Sequence, residues 1–455
     1  MLRRGDPQDR EEEPVKRVGL IALVIWALAG QAGSQGRTLM READPITISA
    51  AQVRSLAGRP LAGYRVFAIQ GRPAETIPFQ MDERNRKGNY VFPNGPEANL
   101  GDGNGLFDGQ DELVIMARDP GDRAGPGELP GGYSIGAEIQ IRDPVDQGQA
   151  WAYLLYFERN APPLSPVDYV ALDPQTSRIT ARNYFLGFSP TAPMALGELA
   201  MTPAGGGDNV DYCDRLKARF HCRLWGMVSL DKNEEDFTSV MVAWVDGAVR
   251  VIRRTRSRLI LFWNIPSPSA VFDNFYYYNS FSFPTSVTLP FDGDKIVSEG
   301  SFRVSIDSPR LSGQRRYRNS NWPEGVIQDG VMSETEIKLA ADTRPFTWSS
   351  TGNPGPEGKD YGAWLNRLKV MTDNPSFRPR VYYVDDGNHA DPPDEEYGSY
   401  GNAGYQVTDL QGLPAGEYEL VSVMYNVPVF SPEIVPLYLN ILDHPLEIQL
   451  APLAP

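Results

Sequence analysis

The sequence predicts an all-β protein built from two or three antiparallel β-sandwich domains with few short helices. Aromatic residues make up 11% of the 455 residues, and Gly (43) and Pro (39) are frequent. Apolar residues reach 41% and charged residues 22%, which indicates folded domains rather than a disordered chain. The net charge of −15 disfavours a nucleic-acid-binding protein, because phosphate contacts require a basic surface.

Strand patterns recur along the chain. Asp246 and Gly247 follow an apolar run, and this dipeptide is a strong signal for a hairpin turn into a second strand over 248–262. Strands are predicted over 61–70, 113–116, 151–157, 239–245, 418–429 and 435–442. Helices are predicted over 360–372, where Trp364, Leu365 and Leu368 share a face, and more weakly over 333–341.

Clusters of Pro and Gly predict where domains meet. Such clusters occur at 161–166 and 353–358. The predicted organisation is a signal peptide at 1–33, a β-sandwich with an acidic Asp/Gly loop at 40–165, a larger super-sandwich-like β-sandwich at 166–350 and a small C-terminal β-sandwich at 351–455.

An apolar run over 18–30 follows Lys16 and Arg17 and is followed by small residues. This order is typical of a secretory signal peptide. The run is shorter than the roughly 20 residues of a transmembrane helix. A buried core helix and an uncleaved anchor are the alternatives. We therefore expect an exported protein, in the periplasm, at the cell surface or outside the cell, with no membrane span after signal cleavage.

The two cysteines, Cys213 and Cys222, lie close together in the sequence. A close, even pair in an exported chain predicts a disulfide. The alternative is a metal site that includes His221. Two Cys and one His lack the fourth ligand of a structural zinc site, so the disulfide is favoured.

An acidic, glycine-rich loop, GDGNGLFDGQDEL, spans 101–113. Calcium takes six to eight oxygen ligands, and glycines allow a short loop to turn several oxygens inward. The spacing resembles the start of an EF-hand loop, but Phe107 and Leu113 depart from that pattern. The alternative is a solvated turn whose side chains cap backbone amides. The predicted calcium ligands are Asp102, Asn104, Asp108, Asp111 and Glu112.

Two motifs in this region carry a resemblance to a known module. IPFQMDE at 77–83 precedes the acidic loop, and DELVIMARDPGD at 111–122 continues it. Together they resemble a module at the front of exported bacterial multi-domain β-sandwich proteins, in which the IPFQ-type strand pairs with the acidic turn. The resemblance implies a fold and says nearly nothing about activity.

Four arginines, the arginine stripe, share parity on the strand after Asp246. Side chains at alternate positions of a strand point to one face, so these cations are expected to lie together. Their guanidinium groups match the carboxylates or sulfates of an acidic polysaccharide. The alternative is that they pair with acids on neighbouring strands. The predicted ligand-binding residues are Arg250, Arg254, Arg256 and Arg258.

The segment VDGAVRVIRRTR at 245–256 also resembles a family motif. It is similar to the DGPVR turn of galactose-mutarotase-like super-sandwiches, with Ala248 in place of Pro. That family includes sugar epimerases and polysaccharide lyases, so the resemblance implies a sandwich fold more than a particular chemistry.

An aromatic stretch at 275–283 predicts either a sugar-binding platform or core packing. By strict alternation, Tyr276 and Tyr278 would face away from Phe281.

A second acidic segment at 385–405 predicts a cation site, a ligand rim or a solvated loop. The turn LPAGEYEL after it resembles the closing hairpin of small prealbumin-like or fibronectin-like sandwiches.

These observations favour a calcium-dependent exported β-sandwich protein that binds a glycan or a surface partner. The sequence holds three histidines and lacks the common serine-hydrolase, zinc-protease and P-loop motifs. One alternative is a lyase acting on acidic polysaccharide, because tyrosine and arginine can supply its base and its cation. Another is a structural subunit of an extracellular assembly.

Overall fold

The computed structural model confirms the all-β fold class. It describes residues 35–454 apart from 72, 261–265, 268, 290–291, 311–312, 373, 375–376 and 394–397, with backbone only at 284–289. The predicted signal peptide lies outside these residues. The described part contains two α-helices, α1 (Glu334–Ala340) and α2 (Val435–Asp443). Neither is long and apolar enough to cross a membrane.

The strands are numbered in chain order. The first group is β1 (Pro45–Ser49), β2 (Arg59–Pro60), β3 (Tyr64–Ala68), β4 (Glu75–Thr76), β5 (Gln80–Asp82), β6 (Leu106–Phe107), β7 (Glu112–Met116), β8 (Ile135–Arg142) and β9 (Gln149–Tyr156). The second is β10 (Val170–Asp173), β11 (Arg178–Ala181), β12 (Tyr184–Phe188), β13 (Leu196–Met201), β14 (Arg215–Leu224), β15 (Val228–Lys232), β16 (Phe237–Asp246), β17 (Val251–Leu259), β18 (Ala270–Tyr276) and β19 (Ser280–Leu289). The third is β20 (Val297–Ser308), β21 (Arg315–Asn319), β22 (Trp322–Gln328), β23 (Trp348–Pro354), β24 (Asp360–Val370), β25 (Arg380–Val384), β26 (Tyr400–Thr408), β27 (Gly416–Phe430) and β28 (Glu447–Leu453).

The N-terminal strands form a β-sandwich. A three-stranded sheet (β1-β7-β5) faces a five-stranded sheet (β28-β8-β9-β3-β4). Ile48 and Ile115 from the first sheet pack with Val66, Ile139 and Leu154 from the second, and all five are fully buried. Burial of these aliphatic faces is the main force that holds the two sheets together.

Apart from β2 and β6, which pair as a two-stranded sheet, the remaining strands form three sheets. A nine-stranded sheet has the order β16-β17-β18-β19-β27-β24-β23-β21-β22. A five-stranded sheet (β15-β14-β20-β26-β25) packs on it through contacts that include Tyr317, Leu420 and Val407. A four-stranded sheet (β10-β11-β12-β13) packs on it through contacts that include Tyr184 and Trp364.

The predicted boundary between 166–350 and 351–455 is wrong. It falls inside β23, and β27 lies between β19 and β24 in the nine-stranded sheet. β28 pairs with β8 of the N-terminal sandwich. The Pro- and Gly-rich segment near 353–358 is the turn of the hairpin between β23 and β24, within one sheet. A Pro- and Gly-rich composition is common to hairpin turns and linkers, so it did not distinguish the two.

The secondary structure predicted for two segments is wrong: one predicted helix is a strand, and one predicted strand is a helix. The predicted helix over 360–372 contains β24, a central strand flanked by β23 and β27. Both faces of such a strand are buried, and a continuous apolar pattern can then imitate helical spacing. The predicted strand over 435–442 is α2, whose Val435 and Tyr438 pack on the sheet. The weaker helix prediction over 333–341 is confirmed by α1, where Ser333 and Glu336 form a capping box.

The predicted hairpin after Asp246 is confirmed, with Asp246 opposite Val251. The strict alternation predicted for the aromatic stretch is wrong. A turn separates β18 from β19, so Tyr276 and Phe281 are paired across the hairpin and share the core.

Candidate functional site

Arg250, the first residue of the arginine stripe, is a buried link between the N-terminal sandwich and the nine-stranded sheet. Its side chain is 3% exposed. Its Nη2 lies 2.7 Å from Asp82 Oδ2 and 2.6 Å from Glu112 Oε2. Its backbone N–H donates to Gln80 Oε1 at 2.9 Å. Burial acts to raise the pKa of Glu112, but the positive charges of Arg250 and Arg84 hold it below its ordinary value.

Two of the other three arginines of the stripe pair with acidic side chains, which is the alternative that the sequence left open. Arg254 forms a bidentate pair with Asp273, with two N···O distances of 2.7 Å. Arg256 donates to Glu97 Oε2 at 2.7 Å. Arg258 is exposed, and no carboxylate pairs with it among the described residues. The prediction of an open ligand-binding face is therefore wrong for Arg250, Arg254 and Arg256, because carboxylates already occupy their guanidinium groups.

Two of the predicted calcium ligands face inward. Asp111 Oδ1 accepts from the N–H of Arg84 at 2.6 Å, and Asp111 Oδ2 accepts from the N–H of Asp108 at 2.9 Å. Glu112 is held by Arg250. The Asp111 carboxylate therefore caps backbone amides, and the Glu112 carboxylate neutralises a buried cation. Capping of backbone amides is what the alternative interpretation, a turn without calcium, predicts for the loop.

The other predicted ligands also have protein partners. Asp102 Oδ2 accepts from Asn99 Nδ2 at 3.0 Å, and Asp108 Oδ2 accepts from Asn104 Nδ2 at 2.9 Å. Glu83 Oε1 accepts from the N–H of Asn104 at 2.8 Å. No group of three or more His, Cys, Asp or Glu side chains in the described part of the chain is placed to hold a metal ion. Calcium binding by this loop stays a prediction.

The predicted disulfide is wrong in this structure. Cys213 and Cys222 are both free and buried. β14 runs from Arg215 to Leu224 in extended form. A strand rises about 3.3 Å per residue, so the two cysteines lie roughly 20 Å or more apart, whereas a disulfide requires Cα atoms within about 7 Å. Closeness in sequence does not bring the two cysteines together, because most of the segment between them is an extended strand with many charged side chains.

The second acidic segment uses its acids internally. Asp391 pairs with Arg303 at 2.6 Å and accepts from Asn402 at 3.0 Å. Asp385, which is fully buried, accepts from the N–H groups of Asp329 and Gly330. Burial, opposed by these two backbone hydrogen bonds, raises the pKa of Asp385 to about 7. This segment is therefore part of the architecture around α1.

A polar pocket of about 340 Å³ lies where the N-terminal sandwich, the turn between β11 and β12, and α2 meet. We call it the junction pocket. Seven chain segments line it, and none of the residues predicted from sequence as ligands is among them. The lining residues are 40–44, 118, 182–183, 204, 278–279, 426, 428 and 437–438.

Three asparagines form the floor of the junction pocket. Asn183, Asn279 and Asn426 are 5%, 2% and 0% exposed. Asn183 Nδ2 donates to Asn426 Oδ1 at 3.1 Å, and Asn426 Nδ2 donates to Gly205 O at 3.2 Å. Asn279 Oδ1 is buried, and no hydrogen-bond donor reaches it among the described residues. A buried polar atom without a partner costs about 1–3 kcal/mol, and an ordered water or a ligand hydroxyl can supply the missing donor.

Tyrosines and fixed backbone segments form the walls. The Tyr278 ring lies under the Arg118 guanidinium, 4.7 Å from its centroid, and the Tyr278 hydroxyl donates to Glu42 O at 3.3 Å. Burial raises the pKa of Tyr278 to about 12, so its hydroxyl stays protonated at neutral pH. Tyr438 of α2 packs against the Tyr425 ring at 5.4 Å.

The N-terminal wall is held by a buried ion pair. Arg41 pairs with Asp44 and lies 3.5 Å from Asp143. Its Nη1 also donates to His444 O, at the end of α2, at 2.8 Å. Both sides of the pocket are therefore fixed before any ligand arrives.

A larger cleft of about 520 Å³ lies beside β11, β12 and β13. Its polar groups already engage one another. Arg178 lies 3.2 Å from Glu198, and Asp173 accepts from the Thr176 hydroxyl at 2.7 Å. This cleft shows less unused hydrogen-bonding capacity than the junction pocket.

The chemistry of the junction pocket fits binding better than catalysis. Of its two carboxylates, Asp44 is neutralised by Arg41, so Glu42 is left without the second free carboxylate that a glycosidase requires. A protonated Tyr278 is a hydrogen-bond donor rather than a base. The remaining polar and aromatic groups are amides, tyrosine rings and guanidinium groups, beside apolar side chains such as Met40 and Leu437.

Comparisons with known proteins do not identify a family. No protein-family model matches the sequence, and no curated protein matches it. Among solved structures, an alpha-mannosidase from Enterococcus faecalis V583 matches with a TM-score of 0.41 and 9% identity. The match covers 92% of this chain and 45% of that one, so this chain spans less than half of that protein's length. Nothing about the site follows from this similarity.

Proposed function

We propose that the chain binds a glycan in the junction pocket and has no catalytic role there. The observation that carries the proposal is Asn279 Oδ1, a buried acceptor without a protein donor in a pocket floored by two further buried asparagines. Sugar hydroxyls can donate to such an oxygen and accept from neighbouring amides.

The remaining pocket groups support a sugar ligand. Tyr278 and Tyr438 supply aromatic surface together with hydroxyl groups, and a small number of placed polar groups orient a ligand in a concave site. A volume of about 340 Å³ lies in the range of small-ligand sites. Position at a junction of structural units is also common for such sites.

The lyase alternative finds less support. Its base must abstract a proton near neutral pH, whereas burial raises the pKa of Tyr278 to about 12. Three of the four arginines of the arginine stripe, the other candidate neutralising group, are paired with acids. Export through the predicted signal peptide remains part of the proposal.

Affinity electrophoresis through gels containing single polysaccharides tests the proposal. The panel includes mannan, xylan, β-glucan, pectate and alginate, and the variant is Ala204→Trp. Ala204 is an exposed pocket residue, so tryptophan there fills the pocket with little expected effect on folding. Ala171→Trp, at an exposed alanine of β10, is the matched control.

We expect at least one polysaccharide to retard the wild type and the Ala171→Trp variant but not Ala204→Trp. Equal retardation of both variants would place the glycan site elsewhere. Migration of the wild type unaffected by every polysaccharide would contradict glycan binding.

A further inference from the structure

We propose that the sugar bound in the junction pocket is a uronic acid, whose carboxylate lies between Arg118 and Arg182. This inference rests on the proposed function and names its ligand class. The carrying observation is a pair of arginines that line one pocket and form no ion pair with any carboxylate of the described residues.

The two arginines differ from those of the arginine stripe. In a chain of net charge −15, Arg250, Arg254 and Arg256 all have carboxylate partners. Arg118 is held by aromatic rings instead, 4.7 Å from the Tyr278 centroid and 5.8 Å from that of Tyr169. Its guanidinium edge remains able to bind an anion.

The two arginines line the same pocket of about 340 Å³. Burial and the Asp119 carboxylate raise the pKa of Tyr169, and the charges of Arg118 and Arg182 both oppose that shift. Both positive charges therefore act on the same tyrosine hydroxyl. The Tyr169 hydroxyl itself donates to Asp119 Oδ1 at 2.6 Å.

The other charges around the pocket balance one another in number. Arg41 is neutralised by Asp44. Arg37 donates to Arg118 O at 2.9 Å and adds a third cation behind the pocket wall. Asp143 lies beside Arg41, and Glu42 and Asp119 are the other acids, so four cations and four carboxylates surround the pocket. Arg118 and Arg182 are the cations that line it without an ion pair among the described residues.

A carboxylate suits this arrangement better than an uncharged group. Guanidinium groups donate two parallel hydrogen bonds to a carboxylate, and such charge-assisted bonds are about twice as strong as neutral ones. In a uronic acid the carboxylate is attached to the sugar ring, so the ring hydroxyls can reach the asparagine floor while the carboxylate reaches the arginines. Asn279 Oδ1 then accepts from a hydroxyl.

Ligand-observed NMR titration with matched monosaccharides tests the inference. The probes are D-galacturonate, D-glucuronate and D-mannuronate, each compared with its methyl ester, together with D-galactose 6-sulfate. The ester keeps the shape of the sugar and removes its charge. The variants are Arg118→Gln and Arg182→Gln, and Arg258→Gln is the control because Arg258 is an exposed arginine that does not line the pocket.

We expect at least one uronate to bind about tenfold more tightly than its ester, and we expect Arg182→Gln to abolish this preference. Arg258→Gln should retain it. A preference that persists in both pocket variants would overturn the assignment to Arg118 and Arg182.

The remaining outcomes separate this inference from the proposed function. Equal binding of acids and esters, lost in Ala204→Trp, would overturn the uronic-acid inference and leave glycan binding intact. Binding of D-galactose 6-sulfate as tight as that of the best uronate would overturn carboxylate recognition in favour of anions in general. No response to any sugar, together with no retardation by any polysaccharide, would overturn both proposals.

Discussion

Arginines of the same chain occupy two contrasting environments. Arg250 is buried between Asp82 and Glu112, and both carboxylates belong to a different sandwich from the strand that follows Arg250. Arg118 and Arg182 line the junction pocket without a carboxylate partner among the described residues. The first environment is complete within the protein, and the second is not.

The difference shows how a structural arginine can be distinguished from a ligand-binding arginine in an acidic protein. A buried cation that the chain neutralises itself joins structural units, because separating them would leave a charge unpaired in a dry interior. A cation that remains without a carboxylate, beside a buried acceptor without a donor, is available to a ligand. The number of arginines does not decide between these roles, whereas their partners do.

The largest expected effect is on stability at Arg250. Arg250→Ala leaves Asp82 and Glu112 buried without their cation, and breaking a buried pair in this way costs about 3–5 kcal/mol. Urea unfolding followed by circular dichroism measures the loss. Arg182→Gln removes a charge that has no acid partner, and we expect it to change the free energy of unfolding by no more than about 0.5 kcal/mol. Similar losses in both variants would contradict the contrast.

A second test uses buried charges of like sign. Asp385 and Glu336 are both buried, and Tyr383 donates to Glu336 Oε1 at 2.6 Å. Burial raises the folded-state pKa of Asp385 to about 7, so the protonated form adds stability that is lost as the pH rises through this value. We expect the free energy of unfolding to fall by about 2 kcal/mol between about pH 5 and pH 8 from this group.

Asp385→Asn is the matched variant for this pH dependence. Its amide oxygen can still accept from the N–H groups of Asp329 and Gly330, but the second buried negative charge is absent. The pH dependence of its unfolding should be flatter than that of the wild type. Identical slopes would show that Asp385 titrates normally. Asp119, whose pKa burial raises to about 6, acts in the same direction and is unchanged in both proteins.

A smaller effect is expected at the partly exposed pair of Arg254 and Asp273. Their side chains are 22% and 23% exposed, so solvent screens the attraction. A double-mutant cycle with Arg254→Gln and Asp273→Asn should give a coupling energy of about 0.5–1 kcal/mol. A coupling energy as large as the loss of stability expected for Arg250→Ala would contradict the claim that buried ion pairs contribute more than partly exposed ones.

The smallest expected effect concerns calcium. Asp111 and Glu112 are engaged inward, so Asp102, Asn104 and Asp108 alone remain as donors for a weak site. If free calcium equals its dissociation constant, the native state gains about 0.4 kcal/mol. The melting temperature with millimolar calcium should therefore exceed that with chelator by about one degree. Asp102→Ala/Asp108→Ala should abolish this rise, and a much larger rise would mean that Asp111 turns outward.

Local patterns in the sequence predicted much of the fold. The dipeptide at Asp246 placed a hairpin correctly, and the parity of the arginines placed their side chains on one face. The partners of those arginines were not predictable, because Asp82 and Glu112 lie more than a hundred positions earlier in the chain. Central strands such as β24 were also missed, because burial on both faces removes the alternation that identifies a strand.

The junction pocket was beyond sequence reasoning for a related reason. Its lining comes from seven short segments between residues 40 and 438, and no sequence pattern indicates that these segments meet. One signal was present in the aromatic stretch, where Tyr278 and Asn279 follow two buried or half-buried tyrosines. A sugar-binding platform was one of two interpretations of that stretch, the other being core packing, and neither could bring Arg118 or Asn426 beside it.

The pairing of β28 with β8 has a consequence for biosynthesis. The ribosome makes β8 long before β28. When the N-terminal sandwich emerges from the ribosome, the backbone N–H and C=O groups along the outer edge of β8 are therefore still unpaired. Folding of this unit is completed only after residues 447–453 have emerged. Until then, the open edge can pair with another nascent chain, and a transcript truncated before this point would yield a protein prone to aggregation.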